Sequence, residues 1–513
     1  MTQVTEKNKR IAKNTLLLYF RMLFTMAVSL YTSRVVLNTL GIEDFGIYNV
    51  VGGVVAMFAI ISSSLSAAIS RFITFELGRN NLEKLKVIFS SAVIIQIILA
   101  LVISLFSELI GVWFLNNKMN IPIERIVAAN WVLQCSILTF VVNLISVPYN
   151  AAIIAHEHMK AFAYVSILEV SLKLAIVFLL YTSSFDKLIT YAVLLLLVAI
   201  IIRFIYGFYC KRKFEECTCH FIYNKEILTE MLGFAGWNFI GTSSAVLRDQ
   251  GVNIVINIFC GPVVNAARAI SFQVNTAIQG FVTNFMTALN PQITKSYASG
   301  DRGYMMTLLY QGSRLAFYML FFFSLPVIIE ADSILLLWLK IVPEHTVNFV
   351  RLVLVFAMSE SISGPLITAM LATGRIRNYQ ILVGGLQMLN FPISYFLLRW
   401  GGCPEITIIV AIIISQCCLI ARLWMLRGMI GLSSKQYLKK VYLNILMVSI
   451  LSAIFPVFIY SQMPIGYIRF ITVIGTSFVC CILVVFYVGC SHSERLFVIQ
   501  KIQEIKYKLG IRK

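Results

Sequence analysis

Apolar runs of about twenty residues recur along the whole of this chain, and nothing constrains its fold more. As a helix rising about 1.5 Å per residue, such a run crosses the roughly 30 Å hydrocarbon core of a bilayer. A backbone in lipid must also satisfy its own hydrogen bonds, which a helix does. Reading with that length predicts about fourteen spans, near 14–40, 45–70, 87–114, 127–149, 161–181, 188–209, 231–259, 263–289, 305–328, 349–371, 380–398, 405–424, 441–460 and 467–488. The composition agrees. Of 513 residues 59% are hydrophobic and only 13% charged, with a mean hydropathy of +0.85, whereas soluble domains carry about 25% charged residues. The expected fold class is an all-α polytopic membrane protein.

Orientation follows from the loops, because cytoplasmic loops retain Lys and Arg. The amino terminus, alternate loops (71–86, 150–160, 210–230, 290–304, 372–379, 425–440) and the tail from Gly489 hold roughly 27 basic residues, and the opposite set roughly 5. Both termini are therefore expected in the cytoplasm. The first apolar run follows Lys7, Lys9, Arg10 and Lys13 without a small-residue cleavage pattern, so it reads as a spanning helix and not a removed signal. The net charge of +19 punctuates the ends of apolar runs and forms no stripe on a soluble domain, which argues against nucleic acid as a partner.

Eleven cysteines scattered between spans and loops do not make a disulfide framework. Cys217-Thr-Cys219-His220 lacks a fourth ligand at zinc-finger spacing, and His156-Glu157-His158 reads as a solvated loop, so no metal is expected. No phosphate-binding Gly-rich loop appears, and no nucleophile sits beside a base in an extramembrane domain. The chain is not expected to be an enzyme or to hold a cofactor.

Ionisable residues inside a membrane span are costly and mark functional sites by default. Arg34, Lys173, Arg248, Arg268 and Arg314 lie deep in their spans and are candidates for a cationic cavity. Arg21, Arg203, Arg351, Arg422 and Arg469 lie near predicted span ends, where long side chains can snorkel to the headgroups. The acidic residues in spans are Glu108, Glu169, Asp249 and Glu360, of which Glu169, Asp249 and Glu360 are candidates for coupling or charge pairing. Glu169 and Lys173 stand four apart and share a helix face. Arg248 and Asp249 are adjacent and should project to different sides, leaving one facing a neighbouring helix or water.

The stretch from Arg34 to Gly78 reads as a helix, a tight acidic turn at Gly41-Ile42-Glu43-Asp44, and a returning helix. Placing Gly41 over Gly261 sets Ala68 over Ala288 and Thr74 over Thr294, which predicts an internal repeat. An even number of spans per copy makes the halves parallel repeats, with substrate sites between them. The expected organisation is an N-lobe over 1–210 with spans 1–6, a C-lobe over 211–424 with spans 7–12, and 425–513 with two extra spans and a tail. In that tail Leu496, Ile499, Ile502, Ile505 and Leu509 form an apolar stripe at helical spacing, as on an interfacial amphipathic helix.

An ordered set of motifs now becomes informative. Arg34-Val-Val-Leu-Asn-Thr-Leu-Gly41-Ile-Glu-Asp-Phe-Gly46-Ile-Tyr48 is followed by Pro148-Tyr-Asn-Ala-Ala-Ile-Ile-Ala-His156-Glu157, by Leu337-Trp338-Leu-Lys-Ile-Val-Pro343-Glu344 and by Ala372-Thr-Gly374-Arg375. Together they resemble the polysaccharide transporters, or O-antigen (O-unit) flippases, of the multidrug/oligosaccharidyl-lipid/polysaccharide (MOP) exporter superfamily. Where many relatives carry an acidic residue late in the second span, this sequence has Ile61-Ser62-Ser63-Ser64.

The resemblance implies a two-lobed helical transporter of the bacterial inner membrane that serves lipopolysaccharide or related glycan assembly by alternating access. Its cargo would be a polyprenyl-diphosphate-linked oligosaccharide, moved from the cytoplasmic to the periplasmic leaflet. Membrane lipids, a polysaccharide polymerase and chain-length proteins would be its further partners. Planar guanidinium forks grip phosphate oxygens in pairs, which suits the arginines named above. Asn143, Asn238, Asn253, Asn257, Gln273, Asn275, Gln279 and Asn284 are candidate sugar contacts or interhelical hydrogen bonds. Two other readings stay open: a multidrug or cation exporter of the same superfamily, which calls for carboxylates in its cavity, and a non-transporting scaffold of glycan-assembly enzymes.

Overall fold

The structure is a computed structural model that describes residues 2–500 apart from 57–58, 118–120, 183, 218–221, 223, 340–341, 493 and 497–498. The side chains of some further helical residues, Arg34 and Asn257 among them, also lie outside the description. So do Cys219 and His220 of the candidate ligand cluster and Ile502, Ile505 and Leu509 of the tail stripe.

The described chain is helical almost throughout. Its first half forms α1 (Thr2–Ala56), α2 (Ala59–Arg79), α3 (Leu82–Phe106), α4 (Val112–Asn117), α5 (Ile126–Ala155), α6 (Met159–Thr182), α7 (Lys187–Lys213) and α8 (Lys225–Ala298). There follow α9 (Arg302–Ile329), α10 (Ala331–Leu339), α11 (Thr346–Ser361), α12 (Gly364–Thr373), α13 (Arg377–Met388) and α14 (Asn390–Arg399). The last four are α15 (Ile406–Ile430), α16 (Ser434–Tyr437), α17 (Leu443–Gln462) and α18 (Tyr467–Val484). Among the described residues, eleven helical stretches are long and apolar enough to cross a membrane. The expected seventh and eighth spans fall outside those eleven because α8 carries more polar residues, and the expected second span contains residues 57–58, which lie outside the description.

The sequence placed a four-residue turn at Gly41–Asp44, and the structure shrinks it to one residue. Gly41 adopts φ 85, ψ 167 and the helix resumes at once. Gly261, its partner in the repeat alignment, adopts φ 82, ψ 178 inside α8. Both sit in an extended, positive-φ region open essentially to glycine, and a β-carbon at either would meet nothing within 4 Å. Backbone conformation alone therefore demands glycine there. Gly78 has the opposite reason: a β-carbon would stand 2.7 Å from Ala298 Cβ and 2.8 Å from the Lys295 carbonyl.

The chain divides into two compact units. Unit 1 comprises Met1–Ser243, Thr287–Arg302 and Leu371–Arg377, and unit 2 comprises Ser244–Met286, Gly303–Met370 and Asn378–Lys513. In unit 1, Ile47 and Val51 of α1 pack with Ala129, Val132 and Leu133 of α5 and Leu188 of α7. In unit 2, Val252, Val255 and Ile256 of α8 pack with Phe349 and Val353 of α11 and Ile408 of α15. Large apolar side chains left exposed, such as Ile450, Ile454, Phe458, Ile468 and Ile471 on α17 and α18, suit a lipid-facing surface and not a watery one.

Candidate functional site

Unit 1 contains a cavity of about 750 Å3 between α1, α5, α6 and α7. Helical periodicity builds it. Ser136, Thr139, Asn143, Ser146 and Asn150 recur every three or four residues along α5 and so line one face. Tyr191 and Tyr206 face it from α7, with Leu195, Val198 and Ile202 between them at the same spacing, and Tyr48 enters from α1. Tyr48 and Tyr191 meet edge to face with centroids 5.0 Å apart. From α6 come Glu169 and Lys173, joined at 2.6 Å and each about two-fifths exposed to the cavity. The lining thus offers aromatic faces, hydroxyls, amides and one balanced ion pair.

Charged clusters close both ends of this unit. At one end Arg125 donates to Asp44, and from Nη1 to Asp186 Oδ2 at 2.6 Å, while Asp186 also caps α7 through the backbone N–H groups of Leu188 and Ile189. At the other end lies His156-Glu157-His158, and here the expectation of a solvated loop is overturned. Glu157, at φ 60, is buried and accepts from Gln292 Nε2 at 2.5 Å and Lys295 Nζ at 2.7 Å, with Arg10 Nε at 3.1 Å. His156 pairs with the buried Glu216 at 2.5 Å and stacks on Phe214, and His158 Nδ1 bonds the Tyr209 hydroxyl at 2.9 Å. The reason is tertiary: ends of α1, α5, α7 and α8 converge on the loop and exclude water from it.

Unit 2 gathers charges of its own, from the fully buried Glu330 to Asp249, whose side chain is 40% exposed. Arg248 donates from Nε to Asp249 Oδ1 at 2.9 Å and from Nη2 to Oδ2 at 3.3 Å, so these neighbours do pair, contrary to the expectation from adjacency. The long arginine side chain folds back along the helix while its guanidinium also covers the Phe356 ring. Because Gly261 turns α8 back on itself, Arg268 reaches Asn253 and stacks over Phe272 at 4.4 Å. Glu360 is an electrostatic neighbour of both Arg248 and Arg422. Arg422 is itself 1% exposed. Its expected snorkelling is overturned, as is that of Arg469, which pairs with the fully buried Glu330 at 3.0 Å and 3.2 Å. Both face their own unit's core, where a buried partner or aromatic ring replaces water. Arg351 donates to Asp332 at 2.8 Å and to the Ile328 carbonyl at 3.0 Å.

The structure therefore distributes the sequence candidates. Lys173 and Glu169 meet in the unit 1 cavity with Asn143, and Arg248, Asp249, Arg268 and Glu360 meet in unit 2. Arg314 donates to Glu494 at 2.8 Å and to the Gly489 carbonyl, which ties α9 to the chain beyond α18. The side chain of Arg34 lies outside the described residues. Sequence reading named Asn143 alone of the α5 stripe and passed over its other members and the three tyrosines, although the spacing of that stripe was present in the sequence as a polar face on an otherwise apolar helix.

The polysaccharide biosynthesis protein family matches residues 11–297. The membrane protein EpsK of Bacillus subtilis (strain 168), itself uncharacterized, is 20% identical over 299 residues, covering 57% of this chain and 58% of that one. The chain thus matches under two thirds of that relative's length. Among solved structures, a multidrug resistance MATE family transporter of the MOP superfamily in its outward-facing conformation superposes with a TM-score of 0.72 at 14% identity, over 84% of this chain and 97% of that one. A MOP superfamily transporter from Pyrococcus furiosus, described as having a binding pocket of reversed polarity, gives 0.68 at 14% identity over 82% and 96%. Likeness at that identity speaks for the fold, and the family match speaks for descent. On a MOP-type transporter fold, the chain belongs to the polysaccharide biosynthesis protein family.

Proposed function

We propose that this protein is a lipid-linked oligosaccharide flippase of a bacterial inner membrane. It moves polyprenyl-diphosphate-linked repeat units from the cytoplasmic to the periplasmic leaflet by alternating access, with both termini cytoplasmic. The observation that carries the reading is the lining of the unit 1 cavity. A sugar ring offers apolar C–H faces and a rim of hydroxyls. Tyrosine rings match the faces, and Asn, Ser and Thr match the rim as both donors and acceptors. At about 750 Å3 the cavity falls within the size of ligand sites, roughly 300–1,000 Å3. Its one carboxylate is balanced by Lys173, whereas a trap for cationic drugs would need acidic excess.

The diphosphate calls for guanidinium or ammonium groups, and Lys173, which lines this cavity, is the residue we assign to it. An inside-negative potential favours outward movement of an anion by about 2.3 kcal/mol per charge per 100 mV. Deleting the gene should make the lipid-linked repeat unit accumulate on the cytoplasmic leaflet and leave ethidium efflux unchanged. Altered efflux with no accumulation would transfer the protein to the drug exporters. Restoring the strain with Glu169→Lys plus Lys173→Glu sharpens the assignment. A pair that only neutralises itself tolerates the exchange, whereas cargo recognition by Lys173 predicts flipping reduced about tenfold.

A further inference from the structure

The motif Ala372-Thr-Gly374-Arg375 has no part in the cavity described above, yet it builds one of its own. A second cavity, of about 270 Å3, lies within unit 1 and is walled by Phe72 of α2, by Glu230, Phe234 and Trp237 of α8, and by the turn Gly374–Arg377 that opens α13. The turn follows directly on the apolar stretch Thr346–Thr373, which sets it at the depth of lipid headgroups. Arg71 holds it in place. Its Nη2 donates to the Ala372 carbonyl at 3.2 Å, and its guanidinium packs at 4.6 Å over both Phe72 and Phe75. Gly374 has φ +75, and a β-carbon there would stand 2.6 Å from Arg71 Nη2, so both backbone and space demand glycine.

Arg375 and Arg377 complete the wall. Arg377 lies 5.5 Å over the Trp237 ring. Both side chains are exposed, and neither forms an ion pair among the described residues. Two guanidinium groups thus wall a cavity that contains one carboxylate, Glu230, and a third, that of Arg71, lies behind Gly374 and Phe234. Positive charge without a partner, held in a concave site with aromatic walls, suits an anion attached to an apolar body.

We propose that this cavity is a phosphate site that takes the headgroup of a membrane lipid, with Arg375 and Arg377 on the phosphate oxygens. Arg71 positions the turn that presents them. Two lipids carry this chemistry. One is an anionic phospholipid of the bulk bilayer; the other is the diphosphate-bearing cargo, which would be received here before it enters the larger cavity, and that alternative rests on the function proposed above.

The test uses the full chain in phosphatidylcholine nanodiscs, with phosphatidylglycerol and farnesyl diphosphate as separate probes and bound probe counted by native mass spectrometry. Arg375→Gln with Arg377→Gln should weaken binding of one probe about tenfold or more. Gly233→Leu should do the same by filling the cavity while every charge stays, since a β-carbon at Gly233 meets nothing within 4 Å. Selective loss of farnesyl diphosphate assigns the site to the cargo. Selective loss of phosphatidylglycerol assigns it to the bulk lipid, and the phosphate site then stands even if deletion strains accumulate no lipid-linked sugar. If both folded variants, with unchanged thermal midpoints, bind both probes as the parent does, the proposal is overturned.

Discussion

The two units solve the same problem, polar groups inside a membrane protein, in opposite ways. Unit 1 leaves hydroxyls, amides and tyrosines along an open cavity with a single balanced ion pair. Unit 2 commits its charges to one another: Arg248 to Asp249, Arg469 to Glu330, Arg314 to Glu494. Groups that keep free hydrogen-bonding capacity beside a void can serve a ligand. Groups already paired serve the fold first, most of all in a dry setting such as that of Glu330 and Arg469, and become available only if the pairing changes. On the function proposed above, the contrast assigns sugar recognition to unit 1, and it makes unit 2 the place where substitution should hurt stability most.

The largest effect should come from the Glu330–Arg469 pair. Glu330 is fully buried and Arg469 nearly so, with Tyr460 stacked on its guanidinium at 4.5 Å. Removing one partner leaves the other charged and unpaired, at a cost of about 3–5 kcal/mol. Arg469→Leu should therefore lower the thermal midpoint of the purified protein sharply, and the double change Glu330→Leu with Arg469→Leu should recover much of the loss. Glu169→Gln in unit 1 should cost less than about 1 kcal/mol, because water in the cavity can solvate what remains. If the two single substitutions proved equally harmful, the division between a committed and an open unit would fail.

The glycine hinges come next and compare the units directly. Gly41→Ala and Gly261→Ala each force an L-residue into a region that costs about 1–3 kcal/mol. Because a β-carbon meets nothing at either site, both penalties come from the backbone alone and should match. Midpoints measured for the two variants should fall by similar amounts. A large difference would show that the two bends, alike in φ and ψ, are supported differently by their surroundings.

How much of this could be read from the sequence follows the range of each interaction. Spans were legible from local apolarity, and the hinge at Gly261 from the break between two of them. The Glu169–Lys173 contact was legible because four residues make one helical turn. By contrast Arg469 and Glu330 lie 139 positions apart, and no local rule joins them. Arg422 looked like an anchor because it lies near a predicted span end, yet it is buried: position along a helix does not reveal which way a face turns. The α5 stripe of Ser136, Thr139, Asn143, Ser146 and Asn150 is the instructive case. Its period was visible, but only packing against α6 and α7 made it the wall of a cavity.

The smallest effect expected concerns the closed end of unit 1, which behaves more like unit 2 than like its own chamber. His158 lies in the loop between α5 and α6, bonded to Tyr209. Burial first, and then the positive groups of His156, Arg10, Lys213 and Lys295, hold its pKa below the ordinary 6.5. The unfolded chain takes up a proton near that ordinary value while the folded chain refuses it until a lower pH. The unfolded state thus binds more protons in this window, and stability rises with pH there. The contribution is complete above about pH 6.5 and is lost as the pH falls through 6.5 towards the lowered folded value. Thermal midpoints should therefore drop between pH 7.5 and 5.5, and His158→Gln should flatten the slope in that window while leaving the glycine and Glu330 effects intact. A slope unchanged by His158→Gln would place the titration elsewhere, and would mean that His158 stays open to water at this end of the unit.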